Sequence, residues 1–265
     1  MPPTATIARA APNIDKIVQC IGSWIDGDIV DRLRSLSLAE LRQGAMALFA
    51  IANPSRACEI ASSVVFQLCS VARSSADNIS TSLVDVCNEP DALFWARFRS
   101  PFSIRAIILA SKSDREGRGG EKTVQHHPAV RASPGAFFLA YARLRLHKEK
   151  RAIRNIANEP LVFPLKTPLF VFTSLNKPLS FWSSARMISY DLSAIAVRCD
   201  AGTPRSKGRM WRSASCSWLI KNGVLQEEVL KRGLWRSAET VTDHYFKFSD
   251  QNEQQLSMLF GRRPS

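Results

Sequence analysis

Between Gly202 and Gln226 the chain carries five cations, Arg205, Lys207, Arg209, Arg212 and Lys221, and no carboxylate. Trp235, read as a buried indole, and then Tyr245 follow at helical distances. A guanidinium presents paired donors that match phosphate oxygens, and a phenol brought against such a phosphate is a nucleophile. Phosphoryl chemistry is one way to make sense of that order. Upstream, Arg56 stands just after a helix stop, with Glu59 three residues on, where its carboxylate can hold the guanidinium. A charge at a turn between core helices is costly to bury unless it is paired or faces a ligand; as an exposed ion pair the same two residues contribute little. Of the three tyrosines, Tyr141 and Tyr190 fall on helix faces read as core, and Tyr245 alone lies after the Trp and beside His244.

Bringing these groups together needs a scaffold, and the sequence outlines a mostly α chain with a small β-sheet (α+β). Residues 1–12, rich in Ala and Pro, read as a disordered tail. Ile14, Ile17, Val18, Ile21 and Trp24 have helical spacing. Ser37 and Glu40 form a capping box that opens a second helix, apolar on the face of Leu38, Leu41, Ala45, Leu48 and Phe49, and Pro54 stops it. The β-branched run 102–110 reads as a strand, 111–120 as a glycine-rich turn, and 122–124 as a returning strand. Lys112 then sits at the tip or shoulder of a hairpin near 102–125, where a solvated loop lysine is the ordinary reading.

A helix within 128–146 turns Phe137, Phe138, Tyr141 and Leu144 to the core, and the basic run Arg143, Arg145, Lys148, Lys150, Arg151 and Arg154 reads as a wet helix face. Residues 160–168 are a loop, 169–172 a short buried strand, 176–178 a turn, and a helix from 183 carries Ile188, Leu192, Ile195 and Ala196. Further helices are expected over about 210–221, with Gly223 just past its end, and over 225–231, with Gly233 at the next stop. Ser237 caps the helix that holds Tyr245.

At 265 residues and 45% hydrophobic content the chain can bury a real core. A net charge of +13 with 22% charged residues points to nucleic acid or an acidic membrane surface as partner. The six cysteines show no C-x-x-C spacing and the four histidines no pair on one helix face, so neither a zinc site nor a disulfide framework is indicated. The start lacks the pattern of a signal peptide, and no apolar run approaches the roughly 18–20 residues of a membrane span. These features fit a soluble, intracellular chain without metal or cofactor.

The ordered set is Arg and Glu after a helix stop, Lys on a hairpin, Arg-x-x-Arg opening a helix, Gly-x-Trp, and Tyr ten residues later. It resembles the catalytic domain of a tyrosine recombinase (phage-integrase superfamily), in particular those of Crypton- and DIRS-type eukaryotic mobile elements. The resemblance runs from Ile14 to Phe248 and is most specific in LFVFTSLNKPLS (169–180) and RMWRSASCSWLIKNGVLQEEVLKRGLWRSAETVTDHYFKF. It implies a domain over 13–250, with 251–265 as a tail or an exchange helix. It carries the first arginine onto Arg56, its acidic helper onto Glu59, and the hairpin lysine onto Lys112 or, on the other arm, Lys122. The second arginine falls on Arg212, the His/Trp position on Trp235 and the nucleophile on Tyr245.

The departure is Arg209, where most relatives place His. Arginine does not release its proton near neutral pH, so it can hold a phosphate but cannot act as a base.

The resemblance implies cleavage and rejoining of double-stranded DNA through a 3′-phosphotyrosine. Arg56 and Arg212 would grip non-bridging oxygens, the lysine would protonate the leaving 5′-oxygen, and Trp235 would pack against Tyr245 and the phosphate. Neither metal nor nucleotide is required. It also implies a nuclear mobile-element protein and tetramers on DNA. The tail with Leu256, Met258, Leu259 and Phe260 is read either as the exchange helix or as closing on its own core. A further core-binding domain is expected to be encoded elsewhere, lost or trimmed. The alternative is a relic that binds DNA without cutting it.

Overall fold

Ile14, Ile17 and Ile21 line the buried face of helix α1 (Ile14–Ser23), whose first turn is capped by Asn13 accepting from Lys16 N. The computed structural model describes residues 11–73, 80–108, 120–154, 168–174, 177–182, 184–202 and 208–235. A short helix α2 (Ile29–Ser35), capped by Asp28, precedes α3 (Leu38–Ala52). Ser37 and Glu40 close the expected capping box on α3, and Asn53 ends it before Pro54. All eight residues from Gly44 to Ile51 are buried. Helix α3 is therefore the axis of the core, not a helix with a single apolar face.

Helix α4 (Ala57–Ser63) runs directly into strand β1 (Val64–Arg73). There follow β2 (Ser80–Ser82), α5 (Leu83–Asn88), α6 (Asp91–Ala96), a 3-10 turn, β3 (Phe102–Ile108) and β4 (Gly120–His126). The four strands form an antiparallel sheet in the order β2-β1-β3-β4, with Ala106 opposite Lys122 and Ile104 opposite Val124. The expected hairpin is thus present, and its connection, 109–119, lies outside the described residues.

Helix α7 (Pro134–Arg154) packs across α3, with Phe137 pressed so close to Gly44 that a Cβ there would lie 2.5 Å from the ring. Phe137, Phe138 and Tyr141 are buried as expected; of the basic run Lys148 is exposed, Arg143 and Arg145 are buried instead of wet, and the side chains of Lys150, Arg151 and Arg154 lie outside the described residues. Arg143 is buried, donating to Cys87 O, Glu89 O and Asp91 Oδ1 with its guanidinium over the Phe94 ring. Arg145 is buried on Glu149 Oε1 at 2.6 Å and on the carbonyls of Pro168 and Leu169. These contacts, with Tyr141 OH donating to Leu169 O and accepting from Val171 N, satisfy Pro168 O, Leu169 O and Val171 N from the side chains of α7. That segment is consequently buried but irregular, and the strand begins later, as β5 (Phe172–Ser174) paired with β6 (Lys177–Trp182). Lys177 and Pro178, expected in a turn, already belong to the returning strand.

Helix α8 (Ala185–Arg198) buries Ile188, Leu192, Ile195 and Ala196. Tyr190, expected in the core, is 69% exposed. It lies two residues past Ile188, roughly 200° around the helix from that buried face. Helix α9 (Gly208–Lys221) and α10 (Gln226–Gly233) close the described chain, with a small apolar cluster of Cys216, Leu219 and Val229 between them. Gly223 takes the left-handed conformation expected of a helix stop (φ 83°). Gly233 instead remains helical, and Leu234 takes the left-handed turn (φ 53°). Among the described residues no helix is long and apolar enough to cross a membrane.

Candidate active site

Glu59 organises the site from a position fixed by local geometry. Pro54 ends α3, and the chain turns through Ser55 into α4, where Arg56 O accepts from Glu59 N at 2.9 Å and Ile60 N at 3.1 Å. Arg56 is therefore the residue at which α4 starts. The Glu59 carboxylate reaches back so that Oε2 accepts from Arg56 N at 2.9 Å, as a capping side chain does. Its other oxygen, Oε1, lies 3.7 Å from Arg56 Nη1 and 3.3 Å from Arg212 Nη1. Two arginines far apart in sequence thus meet at one carboxylate. Arg212 and Glu59 are buried at 1% side-chain exposure each, whereas Arg56 is 39% exposed and forms the solvent side of the cluster.

Arg212 is fixed from two further directions. Its Nη2 donates to Gly233 O at 2.7 Å, and its Cζ lies 4.1 Å from the centre of the Trp235 ring. The indole also lies directly against Gly233, where an added Cβ would fall 1.8 Å from a ring atom. The Gly-x-Trp pair is thus a packing requirement: only a residue without a side chain lets the ring cover the guanidinium. Trp235 is half-buried, not buried as expected. Arg232 Nη1 donates to Ala52 O, which ties α10 to the same end of α3 that launches Arg56. The Arg212 Nε is buried with no hydrogen-bond partner among the described residues.

Lys122 enters from β4. The strand alternates, burying Lys122, Val124 and His126 on one face. Lys122 Nζ donates to Ser55 Oγ at 2.5 Å, and Ser55 Oγ in turn donates to Asn53 O at 2.6 Å. Burial pushes the Lys122 ammonium from an ordinary 10.5 down to about 7; the Glu59 carboxylate opposes that fall and Arg212 adds to it. Cys216, one turn beyond Arg212 on α9, is held as a neutral thiol, its pKa pushed by burial up to about 12.

The cluster therefore sets three cations, Arg56, Arg212 and Lys122, around one carboxylate. With Lys122 protonated it carries an excess of two positive charges, largely out of water. Such an excess is unfavourable alone and favourable with an anion in place. Planar guanidinium donors suit a phosphate or carboxylate.

Of the site residues read from the sequence, the fold brings together Arg56, Glu59, Arg212 and Trp235, and of the two candidate lysines it brings Lys122. Lys112 and Tyr245 lie outside the described residues. Arg209 falls in the first turn of α9, one turn before Arg212, and its side chain lies outside the described residues. Ser55, Asn53 and the Gly233 carbonyl are contacts the sequence reading did not include. The alternation of Lys122 with Val124 was a signal for the buried lysine; the carbonyl contact leaves no trace in sequence. Among the described residues no group of three His, Cys, Asp or Glu side chains stands ready to hold a metal ion.

The fold is similar to that of the XerH site-specific recombinase bound to palindromic difH substrate in its post-cleavage complex. The TM-score is 0.50 at 10% identity, with 98% of this chain matched to 56% of that one. The pre-cleavage complex of XerH with difH matches at a TM-score of 0.44 and 12% identity, over 91% of this chain and 50% of that chain. This chain thus spans about half the length of the recombinase. The sequence matches no protein-family model and no curated protein. A mostly helical chain with a small antiparallel sheet, arranged as in a tyrosine-recombinase catalytic domain, is the observed fold class.

Proposed function

We propose that this chain cleaves and rejoins DNA strands through a phosphotyrosine intermediate, in recombination or integration of a mobile element of the Crypton or DIRS type. The observation that carries the reading is the convergence of Arg56 and Arg212 on Glu59 beside Lys122, an anion site built from three separate elements. A backbone phosphodiester offers two non-bridging oxygens, one for each guanidinium. The exposed Arg56 meets it first, and Arg212 is already clamped in place by Gly233 O and the Trp235 face. The Tyr245 phenol gives up its proton to solvent as its oxygen attacks phosphorus, the bond to the 5′-oxygen breaks, and a 3′-phosphotyrosine forms. A phosphate arriving beside Lys122 favours its charged form, so the amine holds a proton when substrate is bound and passes it to the departing 5′-oxygen. Rejoining runs the same steps backwards from a new 5′-hydroxyl. Lys122, rather than Lys112, takes the proton-donor role in this reading because it lies within the cluster. A nuclear location and a tetramer on DNA belong to the same proposal.

The test is a suicide duplex pool, nicked and randomised around the scissile position. The wild-type protein accumulates a covalent protein–DNA adduct, and Tyr245→Phe accumulates none. Arg209 favours a second reading, since an arginine there cannot take a proton. Steeply salt-dependent duplex binding with no adduct from the wild type establishes a DNA-binding module without cleavage.

A further inference from the structure

Ser55 sits between Lys122 and the end of α3, and the direction of its hydrogen bonds is fixed. A hydroxyl has one proton and two acceptor lone pairs. The Ser55 proton goes to Asn53 O at 2.6 Å, so what remains toward Lys122 Nζ is acceptor capacity alone. Asn53 is itself anchored, its Nδ2 donating to Thr123 O at 3.1 Å, the residue next to Lys122 on β4. The turn 53–55 therefore grips β4 through the Thr123 backbone and the Lys122 side chain, immediately before Arg56, the residue that caps α4.

We propose that Ser55 is the positioning residue for Lys122: its hydroxyl, oriented by Asn53 O, accepts from Nζ, favours the ammonium form and fixes the amine beside the Glu59–Arg212 pair. In its catalytic consequence the proposal rests on the DNA-cleavage reading above; the hold on Lys122 itself does not. An acceptor aimed at an amine favours the charged form, against the burial that disfavours it. The charged and titratable groups facing Lys122 are Glu59 from α4 and Arg212 and Cys216 from α9. Glu59 works in the same direction as Ser55, and Arg212 works against it.

The experiment measures the Lys122 pKa directly, by lysine side-chain NMR on the full chain, with the resonance assigned by its loss in Lys122→Arg. Ser55→Ala lowers that pKa by about one unit, the order expected on losing one hydrogen bond to the charged form. Ser55→Thr, which keeps the hydroxyl, restores the wild-type value, and Ser55→Cys, a weaker acceptor, falls between. In the suicide-duplex assay the limb on which the second-order rate of adduct formation declines with rising pH moves to lower pH by the same amount in Ser55→Ala, about eightfold in rate at pH 7.5. A purely structural role for Ser55 lowers the folded fraction but moves neither quantity. An unchanged Lys122 pKa in Ser55→Ala, or in Ser55→Cys where the alanine variant does not fold, overturns the proposal. A pKa shift without any wild-type adduct overturns the cleavage reading and leaves the Ser55–Lys122 coupling standing.

Discussion

Lys122→Met removes the charge that burial makes costly and leaves a side chain of similar length in its place. The ammonium is pushed from 10.5 down to about 7, which at about 1.4 kcal/mol per unit makes charging it in the folded state unfavourable by on the order of 5 kcal/mol. The sign follows from proton counting. Between about pH 7 and pH 10.5 the unfolded chain binds a proton that the folded chain has released, so the lysine makes stability rise with pH across that window; below pH 7 both states hold the proton and the full penalty is present. Methionine carries no such penalty, but it leaves Ser55 Oγ without its donor, which costs about 1–3 kcal/mol. The net expectation at pH 6.5 is a variant more stable than wild type by roughly 2 kcal/mol, or about 4–8 °C in Tm. The advantage disappears as pH approaches 10.

Urea titrations of both proteins at pH 6.5, 8 and 9.5 provide the measurement, with the midpoint read at unchanged m-value. On the proposed cleavage mechanism the same variant loses its proton donor, and adduct formation is expected to fall by about 10²–10⁴. A substrate with sulfur in place of the leaving 5′-oxygen restores most of that rate, because a thiolate leaves without being protonated. A Lys122→Met protein less stable than wild type by the same amount at all three pH values refutes the buried-charge argument, and a sulfur substrate that gives no rescue refutes the assignment of the proton donor.

Three further outcomes follow from contacts in and around the site. Glu59→Gln removes the charge that holds two guanidiniums together, and the fold loses about 3–5 kcal/mol in urea titrations while adduct formation also falls. Gly233→Ala drives the indole off Arg212, since its Cβ would lie 1.8 Å from the ring, and a change in Trp fluorescence accompanies a loss of adduct of about 10² or more. Arg145→Leu strands the buried Glu149 and two carbonyls, destabilising the chain by about 3–5 kcal/mol at pH 7. Burial already raises the Glu149 pKa, so part of that deficit is recovered as pH falls and the carboxyl takes up a proton; equal deficits at pH 5 and pH 7.5 count against this account.

Short-range signals were legible in the sequence and long-range ones were not. The Ser37–Glu40 box, the strands flanking the glycine-rich connection and the Arg56–Glu59 spacing each involve residues within a few positions, and each appears where the sequence puts it. Arg143 and Arg145 look like a solvated run because their partners, Asp91 and the carbonyls of Pro168 and Leu169, come from distant segments. Tyr190, read onto a core helix face, lies opposite Ile188 in helical phase and so faces solvent. Lys122 is the instructive case. A lysine in a strand is ordinarily turned to solvent, yet its alternation with Val124 and His126 placed it on the inner face all along. Gly233 was readable as a helix stop and proved to serve the approach of Trp235 instead.

If the cluster receives a phosphodiester as proposed, the charge count explains why a carboxylate belongs among its cations. Three cations alone would repel one another at these distances, and a second carboxylate would leave little attraction for substrate. Glu59 cancels one charge and bridges the two guanidiniums, so an excess of two remains when Lys122 is protonated. A phosphodiester brings one negative charge, and as an oxyanion nucleophile adds to phosphorus a second develops on the same oxygens. A site with an excess of two thus attracts the bound ester and gains further as the second charge appears, which is the differential interaction that lowers a barrier. In the proposed cleavage the Lys122 proton is the adjustable charge: its release to the departing oxygen would lower the excess as charge leaves phosphorus, and the covalent intermediate would not remain over-stabilised. On the same proposal Ser55, by favouring that proton in the free protein, would set how much of the chain is in the competent charge state before DNA arrives.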